Sequence, residues 1–413
     1  MIFGLTAVQT FLVILFLFSI LYWIIPQKGQ LFVFLLTTFA FAYMAYYLVP
    51  DELDDLSNYF FFLNRMKEGG KETLNEMIST GQFEWDTYRV AAYYFYFISF
   101  FDNPHYLTAV TIFIVYFLMF LVIYKASIRF EVDKLHTYLG TMFFLATYWY
   151  YDTASGIRNG LTFAVVFVCA YYHLVERKNI ALCCIGYILA VFTHSSGIIP
   201  VMLVVLTVVT LNTSGKTFNF ILMFSTAVAS VGIGYLADIT DNSLVQSLAG
   251  KTEHYTEKGA YDTSTMMMVN IAAFVFVFLL LLYVSEYLLD KKNPVKLNRF
   301  YKYVSNTMFF LIGAYFLNIV FHRFTRWIIP MLGALLFMIG MQRQKEKMTK
   351  EDRNYMLYTA PSGVRLKYNI RPFVMLAFVA FIVVHLWYDC NGSSLVWAHF
   401  EQEWLDQGIE FYW

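Results

Sequence analysis

A few residues stand out because a mostly apolar chain seldom carries their chemistry. Arg158 and Asp152 lie in "YYDTASGIRNG", between two long apolar runs. His194 sits in "FTHSSGIIP", and His322, Arg323 and Arg326 sit in "FHRFTRW". Ionisable groups at the ends of apolar runs are functional-site candidates by default, because a charge near hydrocarbon is costly unless it meets water, a partner or a substrate. Arg323 and Arg326 are three apart, which on a helix puts both on one face. With Arg158 they would make a trio of fixed positive charges. Arginine's planar fork takes phosphate oxygens two at a time and stays charged beside a membrane, so the fitting ligand is a lipid pyrophosphate. A histidine near neutral pH is substantially uncharged, so His194 can serve as a general base, with Ser195 and Ser196 beside it to fix its tautomer. Asp152, or an acid of residues 50–88 such as Glu84 or Asp86, competes for that role. Each residue also has a plainer reading: the arginines can snorkel, His194 can bond a backbone carbonyl, and Asp152 can cap a helix or pair with Arg158.

The elements that must position these groups follow from composition. The chain has 413 residues, 59% hydrophobic and only 14% charged, where soluble domains carry about 25% charged residues. Its mean hydropathy is +0.55. Apolar runs near 20 residues recur throughout, the length that crosses a bilayer of roughly 30 Å. The reading is an all-α polytopic membrane protein, one transmembrane domain over 1–413 with about twelve spans near 4–25, 31–49, 105–124, 136–151, 159–175, 180–193, 197–211, 217–236, 267–289, 303–321, 327–341 and 372–389. The first run is too long for a signal-peptide core and has no basic start, so it reads as a retained span. Residues 89–103 are apolar but short, and suit a re-entrant or interfacial helix.

Placing both termini outside puts twenty of the 29 lysines and arginines on cytoplasmic segments, as the positive-inside rule requires. Counting 89–103 as a crossing would reverse the later loops. The outer segments are then 50–104, with interfacial helices, 237–265, and the tail after Asp389. The largest cytoplasmic loop is 342–371. The outer segments mix rings with acids: Asp55, Tyr59, Glu84 and Arg89 in the first, Tyr255 in the second. Such rings suit stacking on pyranose faces while acids and amides take hydroxyls, although an aromatic belt at the interface is the ordinary alternative.

Several classes are excluded. The net charge is zero, which gives no reason to expect a nucleic-acid partner. No GxxxxGK[ST] loop marks an ATP-driven pump. His194, His254 and His322 form no HExxH pattern and have no cysteine partners, so no metal site and no cofactor is expected. Three of the four cysteines, Cys169, Cys183 and Cys184, lie inside apolar runs, so no disulfide framework is implied.

The stretch "SGIRNGLTFAVVFVCAYYHLVERKNIALCCIGYILAVFTHSSGIIPV" resembles the central signature of the EpsG / Wzy-type polysaccharide polymerases. An arginine opens a span (Arg158), a short basic turn follows ("ERKN"), and the next span ends in F-x-H-S (Phe192 to Ser195). An acidic, Tyr-containing loop after the second span (Asp51 to Tyr59) and a late span opening with Arg323 and Arg326 match in order. The family's compact G-x-D-x-x-x-Y is replaced here by "DELDDLSNY", leaving Asp54 or Asp55 as the counterpart.

That resemblance implies a GT-C-like bundle in the bacterial cytoplasmic (inner) membrane, among membrane lipids. It also implies an oligosaccharide repeat unit on undecaprenyl pyrophosphate as substrate. The enzyme would transfer the growing glycan from one carrier to the next unit on the outer face, making O-antigen, capsule or exopolysaccharide, with a Wzz-type chain-length regulator as a partner. Arg158, with His194 or Asp152 for the proton, would be catalytic, and Arg323, Arg326, Arg89, Asp55, Tyr59, Glu84 and Tyr255 would hold the pyrophosphate and glycan. The rivals are a polyprenyl-phosphate-sugar glycosyltransferase, kept alive by "DELDDL", a lipid-linked oligosaccharide flippase, which would bury its charges centrally, and a membrane O-acyltransferase, which would face a cytoplasmic donor.

Overall fold

The computed structural model describes residues 5–50, 55–211, 215–239, 264–288, 294–316, 318–357, 371–392, 394–397 and 399–400. Among these nearly everything is helical, as a chain whose backbone must satisfy itself in hydrocarbon requires. The helices are α1 (Ala7–Ile24), α2 (Gln30–Tyr46), α3 (Asp55–Ser79), α4 (Arg89–Ile98), α5 (Tyr106–Arg129), α6 (Lys134–Thr147), α7 (Tyr150–Ser155) and α8 (Ile157–Ala170). Then come α9 (Ile180–Thr193), α10 (Ile198–Val209), α11 (Gly215–Ile239), α12 (Ser264–Leu288), α13 (Pro294–Gly313), α14 (Asn318–Trp327), α15 (Ile329–Leu357) and α16 (Arg371–Asn391). A two-residue antiparallel pair joins Leu48–Val49 to His399–Phe400.

Every expected span coincides with helix, but twelve crossings do not follow. Among the described residues six helices are long and apolar enough to cross a membrane, or seven if the bent pair α14–α15 is one span. The shortfall has local causes. Helix α9 has 14 residues, about 21 Å at 1.5 Å per residue, against a hydrocarbon core of roughly 30 Å. The run 136–151 is broken where Tyr148 leaves helical backbone at φ −94°, ψ 92°. The run 303–321 is cut after Gly313, where a Cβ would collide with the Met223 carbonyl. Arg323 and Arg326 were expected to open a span but lie on α14, bent 44° from the helix that follows. Pro330 stands at that bend, where its missing N–H cannot continue the helical ladder. Residues 342–357, within the expected cytoplasmic loop 342–371, continue α15 as helix.

The chain divides into two compact units. The first comprises 1–125, 149–202 and 387–413. Its core includes α3 and α4 packed on each other through Tyr59, Phe62, Leu63, Trp85, Phe95 and Ile157. Tyr150 donates to the Phe41 carbonyl at 2.7 Å and so ties α7 to α2. Large apolar side chains remain exposed on α1 and α9, among them Phe16, Ile24 and Leu182, as lipid-facing surfaces do.

The second unit comprises 126–148 and 203–386. Its helices are joined by buried amides and hydroxyls: Asn219 donates to Ser305 Oγ at 2.6 Å and Asn306 to Thr207 Oγ1 at 3.0 Å. Hydrogen bonds of this kind hold apolar helices together where lipid offers no hydrophobic drive.

Candidate active site

Arg158 is the second residue of α8. Gly156 separates α7 from α8, its amide closing α7 on the Asp152 carbonyl at 2.8 Å. The Arg158 side chain is only 8% exposed. Its Nε donates to Tyr59 Oη at 3.2 Å and its Nη1 to the Phe83 carbonyl at 3.3 Å. Four rings surround the guanidinium carbon, Phe83 at 4.5 Å, Tyr88 at 5.1 Å, and Tyr59 and Trp85 at 5.7 Å. Among the described residues no carboxylate lies within ion-pair reach of it. Ring faces attract the cation but do not neutralise it. Two of the five guanidinium N–H groups are therefore used, and the rest suit an anion.

Two unusual stretches of backbone bring the rings there. Gly70 kinks α3 at φ 60°, ψ −144°, a region open essentially to glycine alone. After α3, Gly81, Phe83 and Glu84 have φ of 66°, 54° and 62°. For Phe83 and Glu84 the left-handed conformation costs on the order of 1–3 kcal/mol each and persists only where surroundings enforce it. Here they do. Trp85 N–H bonds the Gln82 carbonyl at 3.1 Å and Tyr88 N–H the Glu84 carbonyl at 2.9 Å. The Phe83 ring packs on Tyr59 at 5.5 Å and Phe62 at 5.1 Å. The turn thereby directs both the ring and the carbonyl of Phe83 at one guanidinium.

His194 ends α9 in extended backbone, φ −162°, ψ 140°, and is 7% exposed. Its Nδ1 accepts the Ser196 backbone N–H at 3.1 Å and lies 2.9 Å from Ser196 Oγ. Ser196 Oγ donates to Asn159 Oδ1 at 2.9 Å, which fastens this corner to α8. Gly197 permits the approach, since a Cβ there would stand 2.8 Å from Thr162 Cγ2. The imidazole stacks on Tyr88 with centroids 5.0 Å apart and planes at 17°. Tyr88 Oη also shares a 2.8 Å hydrogen bond with Ser195 Oγ. One tyrosine ring thus touches both Arg158 and His194.

The other expected site residues are placed as follows. Tyr59 bonds Arg158 directly. Glu84 is exposed in the left-handed turn, Asp55 is exposed in the first turn of α3, and Asp152 is half-buried on α7. Arg89 is exposed and donates to the Asp86 carbonyl at 3.2 Å. Tyr255 and the bulk of the 237–265 segment lie outside the described residues, as does Asp54. In the second unit, Arg323 and Arg326 are half-buried on α14. Arg326 Nη2 contacts Met266 Sδ, and the buried His322 has its Nδ1 2.9 Å from the Asn270 amide nitrogen.

Reading the sequence did not single out Phe83, Trp85, Tyr88 or Asn159. The available signal was "GQFEWDTYR", a glycine followed by three rings. Among the described residues no three histidine, cysteine or acidic side chains gather to hold a metal ion.

No curated protein matches the chain, and no solved structure does. A family model, however, matches residues 54–360, about three quarters of the 413 residues, and spans Tyr59, the 81–88 turn, Arg158, His194 and both α14 arginines. The chain belongs to the EpsG family.

Proposed function

We propose that this chain polymerises oligosaccharide repeat units carried on undecaprenyl pyrophosphate, on the outer face of the bacterial cytoplasmic membrane. The family suggests a polysaccharide polymerase, and the observation that carries the finer reading is Arg158. A buried cation without a carboxylate is costly in the empty protein and is resolved when an anion arrives. In the proposed step the acceptor hydroxyl oxygen bonds to the anomeric carbon of the donor. The bond from that carbon to the pyrophosphate oxygen breaks, and its electron pair leaves on the phosphate. Arg158 stabilises that departing charge in a site that excludes water. The hydroxyl proton goes to a general base, for which the chain offers His194 or a carboxylate, Asp152 or Glu84. Arg323, Arg326, Arg89, Asp55, Tyr59, Glu84 and Tyr255 are assigned to pyrophosphate or glycan binding. A Wzz-type regulator would set chain length.

Deleting the gene and resolving surface glycan on a gel tests this reading. A polymerase loss leaves single repeat units; complete absence of exported units would instead indicate a flippase. Restoring the gene with Arg158→Ala should give no polymer with protein still in the membrane. Arg158→Lys should restore little, because a point charge cannot reproduce the bidentate fork. Full-length polymer from Arg158→Lys would remove the pyrophosphate role. For the outer face, Asp152→Cys should react with an impermeant external thiol label and Lys296→Cys should not.

A further inference from the structure

His194 and its neighbours fix where the imidazole proton resides. The Ser196 backbone N–H is a donor that cannot be reversed, and it points at Nδ1 from 3.1 Å. A proton on Nδ1 would set two donors against each other. The Ser196 hydroxyl, 2.9 Å from Nδ1, adds to this. With its proton on Asn159 Oδ1, it leaves the backbone N–H as the decisive partner. With the Asn159 amide turned over, the serine proton would point at Nδ1 instead. Under both arrangements Nδ1 is an acceptor, so the neutral ring carries its proton on Nε2. A histidine that takes a proton at Nε2 needs the opposite tautomer.

We propose that His194 is a hydrogen-bond donor through Nε2 to an anionic phosphate oxygen of the lipid-linked substrate, held in that form by the Ser196 backbone N–H, with the Ser196–Asn159 hydrogen bond fastening the corner to α8. The proposal rests on the polymerase reading for its substrate. Phosphate is the fitting acceptor because the Tyr88 ring that His194 stacks on also lies under the uncompensated Arg158 guanidinium. It follows that the acceptor hydroxyl proton goes to a carboxylate, and that His194 helps the pyrophosphate depart.

Two measurements on the full-length protein in lipid test this. The first is solid-state ¹⁵N spectroscopy of histidine-labelled protein, with the His194→Gln spectrum subtracted to isolate His194. The expected result is a proton on Nε2, kept in Asn159→Ala because the Ser196 backbone N–H still points at Nδ1. A proton on Nδ1 in the unaltered protein overturns the donor role, and an Nδ1–H signal in Asn159→Ala overturns the Ser196 backbone N–H as the group that sets the tautomer. The second is polymer synthesis by two amides. His194→Gln offers an N–H near the Nε2 position, whereas His194→Asn reproduces only the Nδ1 side. His194→Gln should stay within about tenfold of the unaltered protein, while His194→Asn and His194→Ala should fall by about a hundredfold, the loss expected for a hydrogen bond to a charged group. Equal inactivity of His194→Gln and His194→Ala, with both proteins present in the membrane, overturns the proposal in favour of a base. Should the unaltered protein make no polymer, the functional reading fails while the spectroscopic assignment of the donor tautomer stands.

Discussion

Two regions treat basic side chains in opposite ways. Around the start of α6, cations meet acids: Lys345 Nζ lies 2.9 Å from Asp133 Oδ2, and Arg343 Nη1 lies 2.9 Å from Glu346 Oε2. Asp133 also caps α6, accepting the His136 backbone N–H at 2.9 Å. These groups are half-exposed, where pairing is easy and worth little. Arg158 is nearly buried, where a partner would matter most, and among the described residues it has ring faces, the Tyr59 hydroxyl and one carbonyl instead. The comparison teaches that the missing carboxylate is a property of the site rather than of the chain. A built-in acid would occupy the fork that an anionic substrate needs.

The largest effect should come from Arg158→Met. A hydrophobe of similar volume relieves a buried charge, which is commonly neutral or stabilising, so the melting temperature should hold or rise. Polymer should fall on the order of a hundredfold or more, as when a transition-state donor is removed. A variant that instead melts well below the unaltered protein would make Arg158 a structural residue and break the comparison.

Next comes Phe83→Ala, which removes the nearest ring and leaves the backbone carbonyl. A cation–π contact is worth about 0.5–2 kcal/mol, so polymer yield on a gel should drop by about tenfold. No drop would mean that the rings only fill space.

Asp133→Asn tests the paired region. Burial pushes the Asp133 carboxyl up, but hydrogen bonds from His136 and Lys345 outweigh it and hold the group well below the usual carboxylate range. A depressed acid contributes stability above its unfolded value, roughly 3.9, and loses it as pH falls. Melting curves should therefore show the variant less stable at pH 7 and level with the unaltered protein in strong acid, with little change in polymer at neutral pH. The smallest effect should be Lys345→Met, under about 1 kcal/mol of stability as for exposed pairs.

The sequence made the helices legible because apolar runs in lipid have no other way to satisfy their backbones. It made Arg158 and His194 legible as candidates because polar groups at the ends of such runs are rare, and Tyr59 through the acidic, ring-bearing loop that matches the family pattern. It did not yield the number of crossings. The run 180–193 has the same 14 residues as α9, too few for a full crossing, whereas run length does not show that Tyr148 leaves the helix within 136–151. The ring box was also hidden. Phe83 lies 75 positions from the arginine it contacts, and nothing in its type foretells left-handed backbone. The His194 tautomer depended on one backbone N–H, and so on φ and ψ rather than on residue type.

The uncompensated guanidinium has a practical consequence. Folding and ligand occupancy are thermodynamically linked, so any anion that prefers the folded site must raise the unfolding temperature. At a hundredfold excess over its dissociation constant, such a ligand adds about 2.7 kcal/mol. A thermal shift screen of pyrophosphates and lipid phosphates on the purified protein can therefore rank headgroups before any sugar or linkage has been identified.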